Sequence, residues 1–129
     1  MAKKIQETPT NLTREELSNL SRVTTDVFFF SLFCYVIHPV RGKVRFELYP
    51  YQNAVLYQFI LQRLNILLKF RQAGITELIS MYCLWLASYH PNKRINIISI
   101  KDTTAKKVLK KIKFMYKNLP WYMQTPIIN

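Results

Sequence analysis

"LLKFRQAGITEL", residues 67–78, decides how this chain is read. An apolar run leads into a polar turn with a glycine, then a threonine, then a helical pattern. That is the outline of a phosphate-binding loop, G-x-x-x-x-G-K-[ST], whose backbone N–H groups cradle phosphate at a helix N-terminus. The lysine of the pattern is missing, because Ile75 stands between Gly74 and Thr76. The segment is either a nucleotide site whose cation has moved or a plain strand-turn-helix corner. The chain has two glycines, and Gly74 falls where the backbone must approach a phosphate closely. Thr76 has the spacing that lets a hydroxyl reach Mg²⁺. Lys69, at the position of the first loop glycine, and Arg71, inside the loop, are the cations available to replace the lysine.

The flanks of this loop suggest a fold class. "LNILLKF" (64–70) and "INIISI" (95–100) are short apolar runs, the pattern of strands buried on both faces of a parallel sheet. Between them Thr76 to Tyr89 reads as a helix, ended by His90-Pro91. After the second run a helix is expected, capped by Asp102 or Thr103, with Ala105, Val108, Leu109, Ile112 and Tyr116 on its apolar face. Lys106, Lys110, Lys113 and Lys117 form a basic stripe opposite, a candidate contact for nucleic-acid backbone. The expected class is α/β: a P-loop NTPase-like parallel sheet flanked by helices, of which this chain carries the N-terminal portion.

Upstream, Thr13 and Glu16 have capping-box spacing and start a short helix within a polar lead-in, residues 1–25. "VFFFSLFCYVI" (27–37) is apolar on nearly every side and expected to be buried; Pro39 and Gly42 close it as a turn. "KVRFELYPYQ" then alternates like a strand until Pro50, with a short third strand expected near Val44–Leu48. Val55, Leu56, Phe59 and Ile60 recur at helical spacing between Tyr51 and Arg63. In "FELYPYQ", Gln52 has a donor and an acceptor in one plane, matching an adenine edge, and Tyr49 and Tyr51 offer ring faces for the base. A proline turn with aromatic packing is the plainer reading.

Composition narrows the function classes. The chain has 129 residues, 50% of them hydrophobic and 20% charged, which marks a globular domain or part of one. Its longest apolar stretch is far short of the ~20 residues a membrane span needs, and the polar N-terminus has no signal-peptide pattern. Cys34 and Cys83 lie in apolar segments and read as reduced, buried thiols. The net charge of +12 attracts polyanions, of which nucleic acid is the commonest.

In order, "FFFSLFCYVIHPVRGKVRFELYPYQ", "RLNILLKFRQAGITEL" and "INIISIKDTTAKKVLKKIKFMYKNLPWY" resemble the N-terminal ATPase region of tailed-phage terminase large subunits, from about Asp26 to Pro126. The most specific parts are the aromatic-Pro-x-Gln element, the R-Q-x-G-x-T loop and the basic helix ending in "KNLPWY". That resemblance implies a motor that couples ATP hydrolysis to translocation of double-stranded DNA in the host cytoplasm. Its partners would be a portal, a small terminase subunit and further copies in a ring, with no membrane involved. It also implies a tolerated displacement of the loop lysine. The implied nucleotide-binding set is Tyr49, Tyr51, Gln52, Lys69, Arg71, Gln72, Ala73, Gly74, Ile75 and Thr76, with Thr76 on the Mg²⁺ that accompanies ATP.

The chain departs from that family in its carboxylates. Such motors need an apolar strand ending in paired acids, one for Mg²⁺ and one to activate water. Of Glu7, Glu15, Glu16, Asp26, Glu47, Glu77 and Asp102, only Asp102 follows an apolar run, and a helix cap suits it better. No catalytic residue is therefore expected here, and residues 26–129 read as part of a motor domain that lacks its later part and the nuclease domain. The alternatives are a helicase-like ATPase fragment and a non-enzymatic DNA-binding or interaction module.

Overall fold

The computed structural model describes residues 12–68 and 74–125. Along the chain run α1 (Arg14–Val23), α2 (Val27–Ser31), β1 (Tyr35–His38), β2 (Gly42–Arg45), α3 (Pro50–Leu61), α4 (Ile75–Tyr89), α5 (Asp102–Lys117) and a 3-10 turn (Trp121–Met123). The local signals for the helix starts are strong. Thr13 Oγ accepts from the Glu16 N–H at 3.2 Å while the Thr13 N–H donates to Glu16 at 3.3 Å, completing the expected capping box. Asp26 caps α2 by accepting from the N–H groups of Phe28 and Phe29 at 3.0 and 3.2 Å.

The apolar stretch 27–37 does not form one buried element. After α2 it turns at Leu32–Phe33 and becomes β1, which pairs antiparallel with β2. Tyr35 faces Arg45, Val36 faces Val44, Ile37 faces Lys43 and His38 faces Gly42. Gly42 takes φ +71, the left-handed conformation that favours glycine, and returns the chain after Pro39. His38 Nδ1 accepts from the N–H groups of Val40 and Arg41, both at 3.1 Å, and so closes the tip. Ile37, expected inside, is exposed on this ribbon, and Leu32 is exposed in the turn before it.

α4 is the centre of the core. Ile75, Leu78, Met81, Leu84 and Trp85 are buried along it, against Phe30 of α2, Leu56 of α3 and Met115 of α5. Trp85 Nε1 donates to the Val23 carbonyl at 2.7 Å, fastening α1 to α4. Tyr89 donates to the Met123 carbonyl at 2.8 Å, and Gln124 Nε2 donates to the carbonyls of Tyr116, Leu119 and Lys117, satisfying the end of α5.

The parallel P-loop NTPase-like sheet is overturned: among the described residues the sheet is the two-stranded antiparallel β1–β2 ribbon, and the rest is mostly helix. The third strand expected near Val44–Leu48 overlaps β2 only at Val44 and Arg45, and β2 pairs antiparallel with β1. Among the described residues neither flanking run forms a strand. Residues 64–68 carry no regular structure and are exposed, with Leu68 at 103% relative exposure, while Lys69 and Phe70 lie outside the described residues. In 95–100, Ile95 and Ile97 are half-buried, whereas Ile98 is 91% exposed. The physical reason is that a short apolar run meets the pattern of a buried strand without supplying the neighbouring strand that completes it. β1 and β2 have that neighbour a few residues away, through a short turn.

The helix expectations hold with smaller changes. α4 starts one residue earlier than Thr76 and ends at Tyr89 before the extended His90, as the His90-Pro91 pair predicts. α5 is capped by neither Asp102 nor Thr103; its N-cap is Lys101, and Asp102 pairs with Lys106 at 2.8 Å in the first turn. Leu109 and Ile60, expected on apolar faces, are both exposed, while Met115 is the residue that α5 buries. Cys34 is buried and Cys83 half-buried, both as free thiols.

Candidate nucleotide site

Two segments that are distant in sequence meet at the start of α4. Tyr49 is the N-cap of α3 in extended conformation, and Pro50 occupies the first turn, where its missing N–H costs nothing. Gln52, two residues on, is buried at 1% exposure. Its Oε1 accepts from the Tyr49 N–H at 2.8 Å, closing the first turn of α3. Its Nε2 donates to the Gly74 carbonyl at 3.0 Å, across to the start of α4. The aromatic-Pro-x-Gln element and the glycine of the loop are thus joined directly.

Gly74 is required at this junction for two independent reasons. It is the N-cap of α4 at φ +73, where a side chain is strained. A Cβ there would also lie 2.5 Å from Gln52 Nε2. Being glycine, it offers no side-chain cap, so the first-turn N–H groups of α4 keep no intrahelical partner and carry the positive end of a 15-residue helix dipole. Ile75 explains the missing lysine: at 4% exposure it points into the core, and a charge there would be stranded. Thr76 is half-buried, and its carbonyl accepts from Ser80 Oγ at 2.7 Å.

A cleft of about 690 Å³ opens in front of this helix end, a size that suits a nucleotide. Gly74, Thr76 and Glu77 form one wall and Tyr49 and Gln52 another, while the ribbon contributes His38, Arg41 and Arg45. Lys111 of α5 also reaches it and is paired with Glu77. Tyr49, which lines the cleft, stacks on Tyr51 with ring centroids 5.7 Å apart and planes 9° from parallel, and both are exposed.

The structure therefore brings together Tyr49, Tyr51, Gln52, Gly74 and Thr76, while Ile75 faces away from the cleft. Gln52 is placed next to the loop, yet both ends of its amide already bond to backbone, so an adenine edge would have to compete with those bonds. Lys69, Arg71, Gln72 and Ala73 lie outside the described residues. Arg41, Arg45 and Lys111 were not anticipated as cleft cations; the basic turn "HPVRGKVR" held the signal for the first two, and Lys111 is one position off the stripe. An oxygen donor such as Thr76 suits Mg²⁺, which prefers hard oxygen ligands and would arrive with phosphates. Among the described residues, no group of three or more His, Cys, Asp or Glu is placed to hold a metal ion.

On α5, Lys106, Lys110, Lys113 and Lys117 are all exposed. Lys106 is partly neutralised by Asp102, which leaves Lys110, Lys113 and Lys117 as the stronger part of the stripe. Among the described residues, no helix is long and apolar enough to cross a membrane. No protein-family model matches the chain.

Proposed function

We propose that this chain is the ATP-binding portion of a viral DNA-packaging motor of the terminase large-subunit class. The observation that carries the reading is the Gln52–Gly74 hydrogen bond, which joins two elements read separately as adenine-binding and phosphate-binding. In it the phosphates lie at the start of α4, where uncapped N–H groups and the helix dipole favour an anion. Arg41 and Arg45, with Lys69 and Arg71, supply the charge that Ile75 does not. Thr76 holds the Mg²⁺ that enters with ATP, Tyr49 and Tyr51 take the base, and Gln52 keeps Gly74 in position. The lysine stripe of α5 contacts double-stranded DNA. In the whole motor, at the procapsid in the host cytoplasm, hydrolysis would move DNA with a portal, a small subunit and other copies in a ring.

Binding of labelled ATP with Mg²⁺ tests this directly. Removing both Lys69 and Arg71 is expected to weaken binding at least tenfold, since charge-assisted hydrogen bonds contribute roughly 1.5–3 kcal/mol each. Unchanged affinity in that double variant would remove the nucleotide reading. A second reading, a non-enzymatic nucleic-acid-binding module, is favoured by the helical fold and the antiparallel ribbon. DNA binding with no measurable ATP binding would establish it instead.

A further inference from the structure

We propose that the groove between the β1–β2 ribbon and α5 binds an unpaired nucleotide of a single-stranded nucleic acid. This groove holds about 320 Å³ and adjoins the opening at Gly74: Val36, Ile37, Glu77 and Lys111 border both, whereas Tyr35, Lys110, Phe114 and Met115 line the groove and not the cleft. Its walls include Tyr35 and Ile37 from the ribbon, and Lys110, Lys111, Phe114 and Met115 from α5. Aromatic and aliphatic surface thus lies beside cations. Lys111 is paired with Glu77, so Lys110 is the cation available to a ligand.

The ribbon adds charge on the same side. Arg45 and Lys43 stand directly opposite Tyr35 and Ile37, and cross-strand partners share a face. The Lys43 ammonium lies 4.5 Å from the centre of the Tyr35 ring and the Arg45 guanidinium 5.7 Å from it. The ring therefore holds both cations near the groove. Ile37 remains 65% exposed on this face.

This chemistry selects the ligand. Duplex DNA presents phosphates and keeps its base faces stacked, so it gains little from an apolar, aromatic surface. A single strand offers free base faces together with phosphates, and sites for it combine aromatic platforms with a basic track. Lys110 belongs to the groove and to the α5 stripe, so a strand following Lys113 and Lys117 passes the groove. Cations continuing along one helix suit a linear polyanion better than a bilayer. The inference rests on the reading of the α5 lysines as a nucleic-acid face, but not on ATP at Gly74.

Fluorescence anisotropy with a labelled single-stranded oligonucleotide, its duplex and an abasic single strand tests the inference. At equal salt the single strand is expected to bind about tenfold tighter than either of the others, the scale of one base-stacking contact. Ile37→Ser and Phe114→Ala should erase that preference without changing the salt dependence. Ile37 is exposed, so its variant keeps the fold, and the abasic strand gives a readout without any substitution. A combined Lys110→Glu, Lys113→Glu variant should weaken single strand and duplex together. Equal affinity for intact and abasic strands would overturn the groove site while leaving the α5 reading in place. Binding to anionic phospholipid vesicles with none to any oligonucleotide would overturn both.

Discussion

At the scale of single residues, Gly74 and Ile75 separate what the loop pattern demands from what the core allows. Gly74→Ala is expected to lose stability from backbone strain and from contact with Gln52 Nε2. Gly42→Ala meets the same left-handed backbone, but nothing lies within 4 Å of its added Cβ. Urea unfolding should show a loss of about 1 kcal/mol for Gly42→Ala and a clearly larger one for Gly74→Ala. Equal losses would mean that Gln52 moves aside freely. Restoring the pattern's lysine makes a sharper case. Ile75→Lys buries a charge in the centre of the core, so it should destabilise by at least about 2 kcal/mol and give no gain in ATP affinity. A stable Ile75→Lys variant with tighter ATP binding would show that this position can turn towards the cleft.

Buried acids set a further single-residue expectation. Burial pushes the Cys34 thiol well above its ordinary range of about 9. Burial, and then proximity to Cys34 and Tyr122, does the same for the Tyr89 hydroxyl, which also holds the Met123 carbonyl. Each folded-state value lies above the unfolded one, so the unfolded chain loses these protons first as pH rises. Stability from these groups should be complete below about pH 8.5 and fall progressively above it. A denaturant midpoint that stays level between pH 8 and 10.5 would contradict this placement of Cys34 and Tyr89.

At the scale of elements, α1, α3, α4 and α5 were legible because their signals are local, whereas α2 was not read within the apolar stretch 27–37. The Thr13–Glu16 box and the His90-Pro91 stop each act within a turn or two of chain, and both appear where their residues predict. The periodicity of α5 located its length, but not how deep each apolar residue sits; Leu109 is exposed because α4 covers only part of that face. The stripe opposite gives a quantitative expectation. On duplex DNA, the slope of log affinity against log salt should fall by about 0.9 for each phosphate contact removed. Replacing Lys110, Lys113 and Lys117 with Gln should therefore reduce both affinity and slope, whereas Lys106→Gln should do less because Asp102 already pairs with it. An unchanged slope in the triple variant would make the stripe a solvated face.

At the scale of the whole molecule, much of the described part of the two apolar runs remains in solvent. Leu64, Ile66, Leu68, Ile98 and Ile100 are each largely exposed, and exposed apolar surface of this kind favours association. The net charge of +12 opposes it. Salt screens that repulsion while leaving apolar contact intact, so light scattering should show association rising with protein concentration and with salt. Leu68→Lys with Ile98→Lys should suppress it, and association that persists in that variant would place the contact elsewhere.

What the sequence determined by itself was a set of features that act over a few residues. It located the capping box, the extents of the two long helices, the basic stripe and the glycine that begins α4. Tertiary structure decided the rest, because those features depend on a partner far along the chain. Whether an apolar run is a strand depends on a neighbour to bond with: β1 has one through a short turn, and 64–68 and 95–100 are not strands. That Ile75 faces the core, that Gln52 reaches Gly74 across 22 positions, and that Arg41, Arg45 and Lys111 share a cleft follow from packing around α4. A pattern can name the residues of a loop; only the burial around them decides which way each side chain points.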